Sequence, residues 1–484
     1  MTSLESEVRR TGIDGLDETL QGGIPEGHVV LLRGKAGTGK TILSMQWLFE
    51  GHKKFDESGI YIAATEPFEK ALQNMHSLDF FDEDSLKEGN IKVTDLRSIM
   101  DTLGIDGSGD VVREDVDRLV DVIKDLVEDY NAKRLVIDSI TAAGLRFDDK
   151  GLFRDFIFRL GTVLSGLGCT TFLISEKEYS SRFEVEDFIS DGIIELDYVS
   201  GERKMVRSLN VLKMRGVDYK SGEINFNITS NGVCLYPKII PRKTIAETDF
   251  EDRKGTGVEE LDKMLDGGYP EGHNIILSGN TGTGKSTLAM QFLVEGMKNG
   301  EPALFVNLEE PTPQIRSIAK SHGWDFEKYM DEGLLEFITP NLIDTYPDRF
   351  LHDVRNVVDA VDVERMVVDS VSSIPSADMS EDDLRELLLE LNSILKPRGI
   401  TCIMTHMARP MFGDTSDSHL SSMKSGDLRL SSLTDGIILL RYIEEGNEVN
   451  KSISVLKMRG STHSKKIRRF EILDEGIEVG EVVG

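Results

Sequence analysis

Two octapeptides, GKAGTGKT at residues 34–41 and GNTGTGKS at residues 279–286, contain the residue types that bind phosphate groups. Each fits the pattern G-x-x-x-x-G-K-[S/T] and lies between an apolar segment typical of a strand and a segment typical of a helix. Glycines let backbone N–H groups turn toward phosphate oxygens, and the lysine reaches the outer phosphates. We therefore predict two nucleotide-binding loops, formed by Gly34, Gly37, Thr38, Gly39, Lys40 and Thr41, and by Gly279, Thr281, Gly282, Thr283, Gly284, Lys285, Ser286 and Thr287.

An aspartate ends an apolar strand-like segment downstream of each loop, in LVID and in MVVD. A carboxylate at this place can orient Mg²⁺ or its water ligands, together with the hydroxyl that follows the loop lysine. The alternative is a helix cap, because Ser139 or Ser370 comes next. The predicted Mg²⁺ ligands are Thr41 with Asp138 in the first site, and Ser286 with Asp369 in the second.

Paired acids follow the strand-like segment ALFVN in the second half of the chain, at Glu309 and Glu310. A carboxylate there could act as the general base that orients a water or a hydroxyl for in-line attack, and Glu310 is also a candidate Mg²⁺ ligand. The corresponding segment of the first half offers Thr65 and Glu66. We expect the two sites to differ in chemistry, although solvated acids at strand ends remain the alternative.

The tetrapeptide KMRG occurs twice, at residues 213–216 and 457–460. Two cations one residue apart on a strand point to the same side, and arginine can bind a phosphate with two parallel hydrogen bonds. Lys213 with Arg215, and Lys457 with Arg459, are therefore candidates to stabilise a transferring phosphoryl group if a neighbouring subunit presents them. Alone, this pattern is also common on ordinary edge strands.

The two loops belong to a long internal duplication in which Gly12, Pro25 and Gly34 align with Gly257, Pro270 and Gly279. Such a long period indicates duplicated domains, and 484 residues are too many for one core. Each copy alternates strand and helix patterns, which predicts a mainly parallel α/β sheet flanked by helices. We expect a first domain at 1–237, a linker at 238–247 and a second domain at 248–484.

Composition narrows the functional classes. The net charge is −29, which argues against sequence-blind attraction to nucleic acid. Three scattered cysteines lack the spacing of a metal site, and no apolar stretch reaches membrane-spanning length. Because MTSLESEVRR lacks the apolar core of a signal peptide, we expect a cytoplasmic protein without membrane contact.

These features together resemble the KaiC family of RecA-like ATPases, from about Gly12 to Leu473. The resemblance rests on the duplicated phosphate loops, the EEP strand end, TDGIILLRYIE and VLKMRGSTHSKKIRRFEI. It implies two tandem RecA-like P-loop domains that bind ATP and Mg²⁺, stacked as two rings of a hexamer. It further implies hydrolysis in the first ring and, in the second, phosphate transfer to hydroxyls of a neighbouring subunit.

The resemblance also places Ser431 and Ser432 on the family's pair of phosphate acceptors. Aligning the copies puts Asp187 and Phe188 at these positions in the first half, so the hydroxyls are not needed for the fold. Gly426 stands where the family has a threonine that helps to move phosphate, and Thr65 replaces the first of the paired acids. The family's long C-terminal tail is not seen, so binding of the activator KaiA is not expected. An archaeal or non-clock bacterial homologue with an unidentified signalling partner fits better.

The sequence is also compatible with two other functions. A RecA- or DnaB-like DNA motor would use the same fold, but the segment ARPMFGDTSDSHLSSMKSGDLR is nearly neutral and has one aromatic residue, so we do not expect nucleic acid as a partner. A signalling scaffold whose nucleotide state gates a partner, without kinase activity, is the second alternative.

Overall fold

The computed structural model divides into two compact units, Met1–Pro237 and Lys238–Gly484, called here the first and second copies. The residues that it describes are 7–64, 68–103, 112–145, 147, 149–176, 190–200, 205–239, 252–340, 347–373, 381–407, 433–445 and 448–483. No helix within these ranges is both long enough and apolar enough to cross a bilayer.

The first copy contains eleven strands and eight helices within its described residues. The strands are β1 (Val8–Arg9), β2 (Ile24–Pro25), β3 (Val29–Gly34), β4 (Gly59–Ala63), β5 (Ile91–Asp95), β6 (Arg134–Asp138), β7 (Thr170–Glu176), β8 (Gly192–Ser200), β9 (Met205–Met214), β10 (Ile224–Thr229) and β11 (Gly232–Tyr236). The helices are α1 (Leu16–Thr19), α2 (Lys40–Phe55), α3 (Phe68–Met75), α4 (Glu83–Lys87), α5 (Leu96–Thr102), α6 (Arg113–Asp129), α7 (Ile140–Gly144) and α8 (Lys150–Gly166).

The second copy repeats this order over its own described residues. Its strands are β12 (Arg253–Lys254), β13 (Tyr269–Pro270), β14 (Asn274–Gly279), β15 (Ala303–Asn307), β16 (Leu335–Ile338), β17 (Arg365–Asp369), β18 (Thr401–Met407), β19 (Gly436–Glu445), β20 (Glu448–Met458), β21 (Arg468–Leu473) and β22 (Gly476–Val482). Its helices are α9 (Glu259–Met264), α10 (Lys285–Lys298), α11 (Thr312–Ser321), α12 (Phe326–Asp331), α13 (Pro347–Ala360) and α14 (Glu381–Leu395), with 3₁₀ turns at Val371–Ser373 and Lys396–Arg398.

Each copy is built on a nine-stranded sheet. The order is β11-β10-β9-β8-β3-β7-β6-β4-β5 in the first copy and β16-β15-β17-β18-β14-β19-β20-β21-β22 in the second. In the first copy the neighbouring strands β8, β3, β7, β6, β4 and β5 pair in parallel, whereas the neighbours β8, β9, β10 and β11 pair antiparallel. The corresponding strands of the second copy pair in the same way. The predicted α/β class with a mainly parallel sheet is confirmed.

Helices cover both faces of the parallel strands, which explains why those strands are apolar along their whole length. In the first copy, one core lies between the sheet and α2, and another lies between the sheet and the pair α6 and α8. The apolar stripe of α6 is buried at Val116, Leu119, Val120, Ile123 and Val127, while Leu126 and Tyr130 are partly buried. The parallel strands β3, β4 and β6 therefore end at the same edge of the sheet.

A buried ion network anchors the start of the second copy. Arg365 on β17 is 1% exposed, and its Nε donates to the Glu301 carboxylate. Its Nη1 donates to the carbonyl of Phe292 at 2.9 Å, and its guanidinium lies 4.5 Å from that ring's centroid. Lys254 on β12 donates to the other Glu301 oxygen at 3.0 Å. Glu301 therefore joins two cations from separate strands.

We expect Glu301→Ala to lower the free energy of unfolding of the second copy by about 3–5 kcal/mol, because a buried guanidinium loses its carboxylate. The matched control is Glu259→Ala, which removes an exposed pairing with Lys263 and should leave the unfolding free energy almost unchanged. Trp47 and Trp324 are the two tryptophans of the chain, one in each copy. Urea unfolding in a Trp47→Phe background therefore reports the second copy through Trp324. Equal midpoints for the Glu301 and Glu259 variants would contradict this expectation.

Candidate functional site

Both phosphate loops have the predicted setting, between a strand that ends at the first glycine and a helix that begins at the lysine. Gly37 and Gly39 have φ values of 79° and 105°, and Gly282 and Gly284 have values of 77° and 99°. These lie in the left-handed region that favours glycine. A Cβ on Gly34 would lie 2.3 Å from the carbonyl oxygen of Leu196, so this position excludes a side chain.

The lysines point back into their own loops. Lys40 Nζ donates to the carbonyls of Gly34 and Lys35, each at 2.8 Å. Lys285 Nζ donates to the carbonyls of Gly279 and Asn280 at 2.9 and 3.0 Å. Burial lowers the pKa of both ammonium groups, and nearby carboxylates oppose that shift. Each loop thus holds one cation at its centre, where a phosphate would be attracted.

The loop threonines have different surroundings. Thr38 and Thr283 are fully buried, and their hydroxyls donate to the carbonyls of Lys35 and Asn280 at 2.9 and 2.8 Å. These two side chains therefore brace the loops. Thr281 is exposed, and Thr287 is half-buried in the first turn of α10.

The strand-end aspartates meet the hydroxyls that follow the loop lysines. Thr41 Oγ1 donates to Asp138 Oδ2 at 2.8 Å, and a hydrogen bond joins Ser286 to Asp369. Asp369 is 5% exposed, and burial raises the pKa of its carboxyl group. The cap of α7 is Ser139, whose Oγ accepts from the backbone N–H of Ala142 at 3.2 Å. Capping of α7 therefore needs no carboxylate from Asp138.

The paired acids lie beside the second aspartate. Glu309 Oε1 accepts from Ser370 Oγ and from Ser373 Oγ, both at 2.7 Å. Burial raises the pKa of Glu310, and the charges of Asp369 and Glu309 raise it further. Glu310 Oε2 is buried and accepts no hydrogen bond from the described residues. Thr65 and Glu66, their counterparts in the first copy, lie outside the described residues.

The second site suits a divalent cation. Carboxylate and hydroxyl oxygens are the ligands that Mg²⁺ prefers. Ser286, Asp369 and Glu310 supply such oxygens, and the buried, unpartnered Oε2 of Glu310 is an acceptor that a cation would satisfy. Thr41 and Asp138 supply the same types in the first site. These residues could hold Mg²⁺ in each copy.

The KMRG cations do not join the loops of their own copy. Lys213 Nζ donates to the carbonyl of Ser190 at 2.6 Å, and Arg215 lies 3.3 Å from Asp191. The contacted residues come directly before β8, whose first residue, Gly192, pairs with Val30 on β3. The phosphate loop begins at the other end of β3, four residues after Val30. That separation is roughly 13 Å at the usual strand rise.

The second copy has the same arrangement. Lys457 Nζ donates to the carbonyl of Thr434 at 2.6 Å, and Arg459 lies 3.5 Å from Asp435. The cations of each copy therefore lie at the amino end of the parallel strands, opposite the loop of the same copy.

A polar network fixes residues 433–435, directly after the two candidate acceptors. Asn274 Nδ2 donates to Asn392 Oδ1, and Asn392 Nδ2 donates to the Leu433 carbonyl at 3.0 Å. Lys396 Nζ lies 2.9 Å from Asp435 Oδ2. Ser431 and Ser432 themselves lie outside the described residues, as do Asp187 and Phe188.

Several of these polar residues were missed by the sequence reasoning. They are Tyr61, whose hydroxyl donates to Asp138 at 2.7 Å, Thr405, whose hydroxyl donates to Asp369, and Ser373, Asn274 and Asn392. The sequence signal that could have found them is the difference between the copies. At the positions of the other copy that align with Tyr61, Thr405, Ser373, Asn274 and Asn392, the residues are phenylalanine, isoleucine, alanine, valine and glycine, respectively.

Comparison with known proteins identifies the family of the chain. The family described as "ATPase: KaiC" matches twice, at residues 9–239 and 254–483. A Circadian clock oscillator protein KaiC of Nostoc is 34% identical over 478 residues, which cover 98% of this chain and 89% of the relative. The protein of the same name from Picosynechococcus is 33% identical over 480 residues, covering 97% and 89%. The duplicated loops, their strand-end aspartates and these full-length matches show that the chain belongs to the KaiC family of ATPases.

Proposed function

We propose that this protein binds Mg²⁺-ATP in both copies, hydrolyses ATP, and phosphorylates Ser431 and Ser432 across a subunit interface. Residues 1–237 would form the first ATPase domain, 238–247 a linker, and 248–484 the ATPase and autokinase domain. The assembly would be a homo-oligomer, a hexamer of two stacked rings, that acts in the cytoplasm as a signalling ATPase with an unidentified partner. The observation that carries this proposal is the second site, where Lys285, Ser286, Asp369 and Glu309 meet.

The groups of the second site have complementary tasks in phosphoryl transfer. Lys285 attracts the outer phosphates, and Glu309 orients the attacking hydroxyl or water while two serines fix its carboxylate. When bound, Mg²⁺ neutralises phosphate charge. Lys457 and Arg459 stand too far from the loop of their own copy, and they would act on the nucleotide of a neighbouring subunit, as Lys213 and Arg215 would in the first ring.

The network around residues 433–435 supports a special task for the preceding serines. Asn274, Asn392 and Lys396 align with Val29, Gly161 and Ser165 of the first copy, where no such network is possible. Asn274 is fully buried, and its Oδ1 accepts no hydrogen bond from the described residues, which costs free energy. The second copy thus bears a cost that the first copy avoids. Holding Leu433 and Asp435 in place would fix the end of the acceptor segment.

Intact mass spectrometry after incubation with Mg²⁺-ATP tests the proposal. We expect added phosphoryl groups that a Ser431→Ala/Ser432→Ala variant does not acquire, while that variant still hydrolyses ATP. Hydrolysis by the unaltered protein without phosphate on either serine would refute the kinase part. Absence of both hydrolysis and phosphate would instead favour a nucleotide-gated scaffold.

A further inference from the structure

Each strand-end aspartate accepts a second hydroxyl besides that of its phosphate loop. In the first copy the donor is Tyr61 on β4, whose hydroxyl lies 2.7 Å from Asp138 Oδ2. In the second copy the donor is Thr405 on β18, whose Oγ1 donates to Asp369 Oδ1. The two donors differ in residue type and come from strands on opposite sides of the aspartate's strand.

The donor positions are reciprocal between the copies. Strand registers align Tyr61 with Phe305, because these residues pair with Val136 and Val367. Ile174 pairs with Asp138, and Thr405 follows the Met404–Val368 pair and so stands beside Asp369. In each copy, one strand beside the aspartate's strand therefore supplies a hydroxyl, and the strand on the other side carries an apolar side chain at the position where the other copy has its donor. Each copy has one such donor at these two positions.

The hydroxyl donors and the apolar residues at the reciprocal positions are all buried. Thr405, Phe305 and Ile174 are at most 1% exposed, and Tyr61 is 2% exposed. A carboxylate oxygen facing such surroundings must be hydrogen-bonded to remain charged and fixed in orientation. A hydroxyl that hydrogen-bonds a metal-binding carboxylate commonly tunes metal affinity as well. The donor thus orients the aspartate toward the hydroxyl that follows the loop lysine.

We propose that Thr405 in the second copy and Tyr61 in the first are positioning residues that orient Asp369 and Asp138 for Mg²⁺-nucleotide binding, and that either neighbouring strand can supply the hydroxyl. This inference rests on the proposed function, because it assumes that both sites bind Mg²⁺-ATP. It goes further by assigning a role to two residues outside the nucleotide-binding motifs. It also predicts that the donor can be moved from one strand to the other.

The test measures binding of a fluorescent ATP analogue to the full chain at increasing Mg²⁺ concentration, in a Lys40→Ala background that silences the first site. We expect Thr405→Val to raise the Mg²⁺ concentration for half-maximal binding roughly 10-fold. Thr405→Ser should bind as the parent does. Phe305→Tyr added to Thr405→Val should restore most of the lost affinity, because the phenol would donate from the β15 side, as Tyr61 does from β4.

The possible results distinguish a failure of the proposed function from a failure of the proposed role of the hydroxyl donors. No Mg²⁺-dependent binding by the Lys40→Ala parent would overturn the proposed function and this inference together. Normal binding by the parent and by Thr405→Val would overturn the inference alone. Failure of Phe305→Tyr to restore binding, in a protein with an unchanged urea midpoint, would refute the transferable donor. In the mirrored test, in a Lys285→Ala background, Tyr61→Phe should weaken binding and Ile174→Thr should restore it.

Discussion

Lys285→Ala is expected to abolish phosphorylation of Ser431 and Ser432 and to weaken Mg²⁺-ATP binding at the second site roughly 100-fold. The ammonium group lies inside the phosphate loop, where the charges of Asp369 and Glu309 act on it. Losing hydrogen bonds from a cation to a phosphate costs about 3 kcal/mol, which corresponds to that factor. Intact mass reports the phosphorylation, and titration with a fluorescent ATP analogue reports the affinity.

Lys40→Ala is the matched control, because Lys40 makes the same two loop contacts in the first copy. It should weaken binding at the first site and leave the serines phosphorylated. Undiminished phosphate incorporation by Lys285→Ala would remove the second site from the proposed kinase reaction. Circular dichroism and urea midpoints establish that both variants fold.

Glu309→Gln is expected to slow hydrolysis at the second site about 100-fold while ATP affinity changes only a few-fold, because a general base is lost and the loop is intact. The amide oxygen of glutamine can still accept from Ser370 and Ser373, so the local structure should persist. Single-turnover hydrolysis in the Lys40→Ala background isolates this site. A rate within twofold of the parent would show that Glu309 does not activate the nucleophile.

Glu310→Gln provides the comparison, since the two acids are adjacent but differently surrounded. Glu309 is exposed and held by two hydroxyls, whereas Glu310 presents a buried oxygen that no described residue satisfies. We expect the Glu310 variant mainly to require more Mg²⁺, because a hard oxygen ligand becomes a neutral amide.

Much of the fold could be predicted because its signals are local. Glycine spacing fixes the loop, apolar runs mark strands buried on both faces, and the stripe from Val116 to Val127 marks one face of α6. The strand-end aspartates could also be predicted, because the carboxyl ends of neighbouring parallel strands share one edge.

The polar contacts around the aspartates depend on register, which the sequence does not reveal. Nothing local indicates that the Tyr61 phenol reaches a carboxylate on β6, or that Thr405 stands beside Asp369. The position of Lys457 and Arg459 likewise follows from antiparallel pairing of β19 with β20, which carries them to the amino end of the parallel strands. The differences between the aligned copies indicate which positions are unusual, whereas the hydrogen-bond partners of those residues follow only from the strand pairing in the structure.

The most direct test of transfer between subunits is intact mass spectrometry of mixed assemblies. Lys285→Ala chains, which keep both serines, are co-expressed with Ser431→Ala/Ser432→Ala chains, which keep the second site. An affinity tag on one variant isolates the mixed particles, which are then incubated with Mg²⁺-ATP. The account predicts phosphate on the Lys285→Ala chains, supplied by their neighbours. Phosphorylation of the unaltered protein together with phosphate-free Lys285→Ala chains in the mixture would contradict it.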